Sequence, residues 1–179
     1  MKPFPKRLKL ADLPTRIEKL ERFSERTGLN VYVKRDDMSG MEWSGNKIRK
    51  LEFSIQEALD RGADTLITCG GIQSNHCRAT AAAAARLGLR SCLLLRTDDP
   101  DPLLDGNYFI DKVLGADIRF ISAEDYRSRR GEVMEELAGE FERQGHKAYI
   151  IPEGASNGIG TFGYLSCMQE ILQQEKEMG

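Results

Sequence analysis

Apolar positions along the chain alternate between two periods. Residues 30–35, Asn-Val-Tyr-Val-Lys-Arg, alternate and are rich in β-formers, which predicts a strand. Short apolar runs at 64–69, 90–95, 117–121 and 147–151 predict four more strands. Helical patterns fill the intervals. One runs to about Arg61, with Ser44 or Asn46 as a possible cap and Gly62 as its stop. An alanine-rich helix ends at Leu87-Gly88, and further helices cover about 106–114, 123–144 and from about Thr161 onward. Near the N-terminus, Pro14 and Thr15 can open a helix whose apolar face is Ile17, Leu20 and Phe23, with Gly28 ending it. Strands alternating with helices imply right-handed βαβ units, hence a three-layer αβα fold with a parallel sheet. The strand near residue 32 stands apart across a separate helix, so it is expected in a different sheet.

Composition narrows the class. The 179 residues are 40% hydrophobic and 30% charged, an ordinary globular balance. The net charge of −2 gives no global basic field for nucleic acid or an anionic membrane. Basic residues nevertheless gather early, at Lys6, Arg7, Lys9, Lys34, Arg35, Lys47, Arg49 and Lys50, and read first as a solvated face. No apolar run is long enough for a transmembrane helix, and Met-Lys-Pro-Phe-Pro lacks a secretory core. Cys69, Cys77, Cys92 and Cys167 are scattered and form no C-x-x-C, so reduced thiols and a cytoplasmic location are expected. With two histidines there is little to build a metal cluster. Asp36 and Asp37, set among basic residues, read as salt-bridge partners.

Three segments carry candidate chemistry. Lys47 begins a helix after Ser44-Gly45-Asn46, where the positive helix end and the like charges of Arg49 and Lys50 favour a neutral amine. A neutral amine can attack an aldehyde. The competing reading is a surface lysine. Second, Gly70-Gly71-Ile72-Gln73-Ser74-Asn75-His76 follows a strand and opens a helix, where backbone N–H groups suit an anion such as a carboxylate. Alternatively, Ser74 or Asn75 simply caps the helix and His76 packs. Third, Gly158-Ile159-Gly160-Thr161-Phe162-Gly163 spells G-x-G-x-x-G. A seven-residue loop separates it from the preceding strand, and no following strand with an acidic end is present, so a nicotinamide dehydrogenase is the poorest of the readings.

Taken together, the motifs resemble a known family. Lys34-Arg35-Asp36-Asp37, Gly45-Asn46-Lys47-Ile48-Arg49-Lys50-Leu51-Glu52-Phe53, Gly71-Ile72-Gln73-Ser74-Asn75-His76 and Pro152-Glu153-Gly154-Ala155-Ser156-Asn157, followed by Gly160 and Gly163-Tyr164, look like the D-cysteine desulfhydrase and 1-aminocyclopropane-1-carboxylate (ACC) deaminase family. These are pyridoxal-phosphate (PLP) enzymes of the tryptophan-synthase β fold, also called PLP fold type II. The resemblance implies that Lys47 carries PLP and moves protons, with Lys50 assisting nearby. It implies that Asn75 bonds the phenolic oxygen of the cofactor. Ser74 would sit beside the substrate carboxylate, with Gln73, Asn75 and His76 completing the substrate site. The implied reaction releases sulfide from D-cysteine and leaves pyruvate and ammonia. His76 fits the D-cysteine-acting members better than the ACC deaminases, whose product is α-ketobutyrate.

Family members are nearly twice this length, and their second half supplies the phosphate-cradling loop. The resemblance therefore implies the N-terminal half of a two-domain enzyme. Residues 1–50 would be an arm, strand and lysine segment of the larger cofactor lobe, with 34–49 at the junction. Residues 51–163 would form the small α/β lobe, and 164–179 a helix leading toward the remainder. Expected partners are a small amino-acid substrate and either a second copy or a complementing C-terminal half. Neither nucleic acid nor membrane is expected. A split chain without activity of its own is the rival from another class.

Overall fold

A computed structural model describes residues 4–40, 42 and 45–178. In chain order come β1 (Ile17–Lys19), α1 (Glu21–Thr27), β2 (Tyr32–Lys34), a 3-10 turn at Asp36–Met38 and α2 (Lys47–Asp60). Then follow β3 (Thr65–Gly71), α3 (Asn75–Leu87), β4 (Arg90–Arg96), α4 (Gly106–Val113), β5 (Asp117–Ile121) and α5 (Ala123–Arg143). The chain continues through β6 (Ala148–Ile150), a 3-10 turn at Glu153–Ala155 and α6 (Gly158–Met178).

The four apolar runs form one parallel sheet in the order β5-β4-β3-β6. Strand alternation sorts their side chains onto two faces. Leu66 meets buried residues of α2 and α3, and Leu93 and Leu95 pack with Cys77 and Ala81 of α3 and Tyr108 of α4. Ile67, Cys69, Cys92 and Leu94 point the other way, onto Tyr126, Leu137 and Phe141 of α5. The layers are helix, sheet and helix, as the alternation of elements predicts. The alanines of α3 are small where space is short: Ala79 and Ala81–Ala84 are buried against α2 on one side and the sheet on the other.

β1 and β2 pair antiparallel in a separate two-stranded sheet, with Ile17 opposite Lys34. This confirms the isolation of the strand near residue 32 and corrects the N-terminal helix. Residues 17–19 are extended, and the helix begins only at Glu21. The apolar spacing of Leu20 and Phe23 marks no core face, since both are exposed. Backbone pairing across 15 residues of sequence outweighs a local helical preference. Gly28 does end the helix, in the left-handed conformation at φ 70°. α6 starts at Gly158, earlier than Thr161, because Asn157 caps it: its Oδ1 accepts from Gly160 N–H at 2.9 Å.

Candidate active site

The order of the strands locates a crevice. The chain moves from β3 to β4 to β5 through α3 and α4 on one face, then returns to the other side of β3 through α5 on the opposite face. The direction reverses between β3 and β6, and ligands of open α/β sheets bind at such a reversal, beyond the carboxyl ends of the strands. Two loops meet there: Gly71–Ser74 after β3, and 151–157 after β6.

Lys47 is the first residue of α2, and its Nζ lies 2.7 Å from Asn46 Oδ1. Asn46 occupies the N-cap position without a capping bond, because its oxygen faces the Lys47 amine while its NH₂ donates to the Tyr164 hydroxyl. Ser44, the other expected cap, lies outside the described residues. The Lys47 stem runs against Gly154, whose φ is 63°; a Cβ there would sit 3.6 Å from Lys47 Cε. Only a glycine both adopts that backbone readily and leaves the lysine a bare surface. One turn on, Lys50 Nζ donates to Ser156 Oγ at 2.9 Å. Burial, reinforced by the like charge of Lys47, lowers the pKa of Lys50. The two loop motifs around Lys47 and Gly154, far apart in sequence, thus form one site wall. On the α5 side of this wall lies a cavity of about 600 Å³ lined by Arg127, Arg130, Glu153, Gly154 and Ser156.

The loop after β3 opens α3 at the carboxyl end of the same strand. Ser74 caps α3, accepting from Cys77 N–H at 3.2 Å. Helix geometry leaves the N–H groups of Asn75 and His76 without intrahelical partners, so the cap and the anion-binding reading coexist. The Gln73 side chain turns away to α4, donating to Asp105 Oδ1 at 2.9 Å and accepting from Asn107 N–H at 2.7 Å. Asn75 is exposed, and its Oδ1 accepts from Asn107 Nδ2 at 2.9 Å.

His76 is buried beneath the loop, 3% exposed. Its Nε2 is 2.8 Å from Thr68 Oγ1, which donates its proton to Ile151 O at 2.8 Å. A hydroxyl with its proton committed must accept, so Nε2 carries the imidazole hydrogen and Nδ1 is left as a lone pair. Nδ1 is buried with no hydrogen-bond partner among the described residues. Burial, and then the charges of Lys47 and Lys50, push the His76 pKa down to about 3. A neutral imidazole near two amines can accept a hydrogen bond at Nδ1 but brings no charge of its own.

The remaining candidates resolve into structure. Asp36 pairs with Arg49, and Asp37 with Arg35, at 2.8 and 2.7 Å. The early basic cluster is only partly a solvated face, since Arg49 is 1% exposed and Lys34 bonds Glu170 at 3.1 Å. Gly158–Gly163 lies within α6, where Gly160 faces Ala155 O and Gly163 faces the backbone of Arg49. Gly160 and Gly163 serve close packing of α6 rather than a strand-to-helix turn, while Gly158 meets nothing within 4 Å. All four cysteines are free thiols and buried. Asn107, Asp105, Thr68 and Ser156 have no assigned role in the sequence motifs. The one local hint is Asp105-Gly106-Asn107 at a helix start; the partners of Thr68 begin 8 residues away, and Asp105, Asn107 and Ser156 meet partners 32 to 106 residues away.

Comparison with known proteins places this geometry in a class. Residues 8–178 match the model of the pyridoxal-phosphate dependent enzymes, and the chain belongs to that family. It is 47% identical over 180 residues to the mitochondrial bifunctional D-cysteine desulfhydrase/1-aminocyclopropane-1-carboxylate deaminase of Arabidopsis thaliana, covering 97% of this chain and 45% of that protein. It is 42% identical over 177 residues to the D-cysteine desulfhydrase of Serratia proteamaculans, covering 97% and 52%. The crystal structure of an ACC deaminase homologue superposes with a TM-score of 0.87 at 42% identity, covering 96% of this chain and 51% of the other. The chain spans about half the length of the curated relatives it matches.

The residues present fit PLP. A lysine amine on a glycine-bared wall can bond an aldehyde carbon, and Asn75 offers an amide beside an orphan N–H pair.

Proposed function

We propose that this chain is the lysine-bearing part of a PLP-dependent carbon–sulfur lyase acting on D-cysteine. The observation that carries the reading is Lys47, set at the start of α2 against Gly154 in the crevice between β3 and β6. The net reaction is D-cysteine plus water to pyruvate, ammonia and hydrogen sulfide. When bound, PLP supplies the electron sink for the pair left at the α-carbon as its proton departs. Lys47 holds the cofactor and moves that proton. Ser74 and the first-turn N–H groups of α3 receive the substrate carboxylate. Asn75 donates to the phenolic oxygen of the cofactor. Gln73 shapes this loop, His76 forms its floor as a neutral group, and Lys50, its pKa already lowered, assists beside Ser156.

ACC deamination is the second reading, supported by the bifunctional name of the Arabidopsis relative. The length of the relatives supports a larger assembly, in which residues 1–50 and 164–179 belong to the cofactor lobe and 51–163 to the small lobe. α6 runs across that boundary. Leu165, Met168 and Leu172 are exposed along α6, which favours contact with a second copy or a complementing half.

The test is to add PLP to the purified chain, reduce with borohydride and map the modified residue by mass spectrometry. Modification confined to Lys47, lost in Lys47→Ala while the far-UV circular dichroism is unchanged, is the expected result. Labelling spread over surface lysines would sink the assignment of Lys47. Pyruvate from D-cysteine against α-ketobutyrate from ACC then separates the two substrates, and absence of both products favours the split chain.

A further inference from the structure

The first turn of α4 reaches the loop after β3 through one side chain. Asn107 Nδ2 donates to Gln73 O at 2.8 Å and to Asn75 Oδ1 at 2.9 Å. Asn107 Oδ1 accepts from Arg78 Nη1 at 3.0 Å. Two of these partners allow only one direction: a backbone carbonyl accepts, and a guanidinium donates. The Asn107 amide therefore cannot be turned over without losing both bonds. Gln73 is pinned by the same logic, between the Asn107 N–H, which only donates, and the Asp105 carboxylate, which only accepts. The approach of Gln73 depends on Gly106. Its φ is 50°, and a Cβ there would lie 2.5 Å from Gln73 Oε1.

These constraints propagate to Asn75. The atom it presents to Asn107 Nδ2 must be an acceptor, so it is the carbonyl oxygen. Turning Asn75 over would set two NH₂ groups face to face and lose the bond. What remains for a ligand is the Asn75 NH₂, a donor on an exposed side chain.

We propose that Asn107 is a positioning residue that locks the Asn75 amide with its NH₂ toward the bound cofactor, so that the crevice selects an oxygen acceptor at that point. The cofactor half of this statement rests on the function proposed above; the amide lock is a property of the chain alone. Asn107→Asp is the informative variant. A carboxylate at 107 can no longer donate to Asn75 Oδ1 and attracts its NH₂ instead, which reverses what Asn75 shows the ligand. Asn107→Ala merely releases the side chain.

Nitrogen-15 relaxation of the Asn75 side-chain amide, in the full chain without PLP, reads the lock directly. The expected result is an ordered amide in the parent and a mobile one in Asn107→Ala. An amide equally ordered in Asn107→Ala overturns the lock. The second readout is the PLP concentration giving half-maximal borohydride labelling of Lys47. It should rise about tenfold in Asn107→Asp, the scale of one lost hydrogen bond, and less in Asn107→Ala. In Asn75→Ala, adding Asn107→Asp should change it no further. Labelling that follows only the thermal stability of the variants overturns the positioning role. An ordered amide in a parent chain that never labels at Lys47 sinks the cofactor reading and leaves the lock standing.

Discussion

Asp111 shows how far a single residue can depart from its sequence neighbourhood. Phe109, Ile110 and Val113 of α4 are exposed, while Asp111 between them has no exposed surface. Neither carboxylate oxygen has a hydrogen-bond partner among the described residues. Burial pushes its pKa up to about 7, against the opposing charge of Arg78. The folded chain thus holds this proton more tightly than the unfolded chain, where a carboxyl titrates at about 3.9. The stabilisation is complete below about pH 4 and is lost as pH rises to about 7. Asp111→Asn should therefore raise the melting temperature at pH 8, by roughly 2–4 °C for each kcal/mol recovered, and change little at about pH 4. A scan of melting temperature against pH in both proteins measures this; an equal shift at the two pH values would show that Asp111 is not the titrating group. The order Phe-Ile-Asp-Lys gives no sign of this burial, because an inward acid depends on how α4 is rotated on α3.

At the scale of elements, two glycines make opposite predictions. Gly163 lets α6 lie on α2: a Cβ there would be 2.4 Å from Arg49 O and 2.7 Å from Lys50 N. Both neighbours are backbone and cannot step aside, so Gly163→Ala should cost about 1–3 kcal/mol and disturb the turn that carries Lys47 and Lys50. Gly131 sits inside α5 with nothing within 4 Å of a Cβ. There Gly131→Ala should stabilise by about 0.5–1 kcal/mol through helix propensity alone. Urea denaturation of the two variants beside the parent decides both signs. The elements themselves were largely legible. β5 matches its expected range of 117–121, and Gly88 ends α3 in the left-handed conformation. What misled was the N-terminal segment, where three residues pair with a strand rather than continue into α1.

For the whole molecule, Arg49 is the tie between the hairpin, α2 and α6. Its guanidinium meets Asp36 at 2.8 Å, Glu170 at 2.9 Å and Thr15 Oγ1 at 3.0 Å, with the side chain 1% exposed. Lys34 adds bonds to Glu170 and to Thr15 O. Without Glu170, Arg49 keeps Asp36 and Lys34 keeps the Thr15 carbonyl, so the loss is that of charge-assisted hydrogen bonds, about 1.5–3 kcal/mol. Glu170→Ala should lower the denaturation midpoint accordingly and speed amide exchange in β1 and β2 while the central sheet stays protected. Uniformly faster exchange would mean that the hairpin is not held through this network.

By itself, the sequence determined the alternation of strand and helix, the parallel sheet, and the kinship carried by the motifs around Lys47, Ser74 and Gly154. Hydrophobic period and capping residues act within a few residues of chain, and the order of strands, helices and motifs is read along it without knowing which groups touch. Tertiary structure alone decided which groups are partners. It turned Gln73 and Asn75 toward Asn107, made His76 a buried neutral imidazole on Thr68, and converted Arg49 from a surface charge into a buried tie. The reason is physical. Burial and one-way hydrogen bonds depend on which elements pack together, and for these residues the deciding neighbours lie between 8 and 121 positions away.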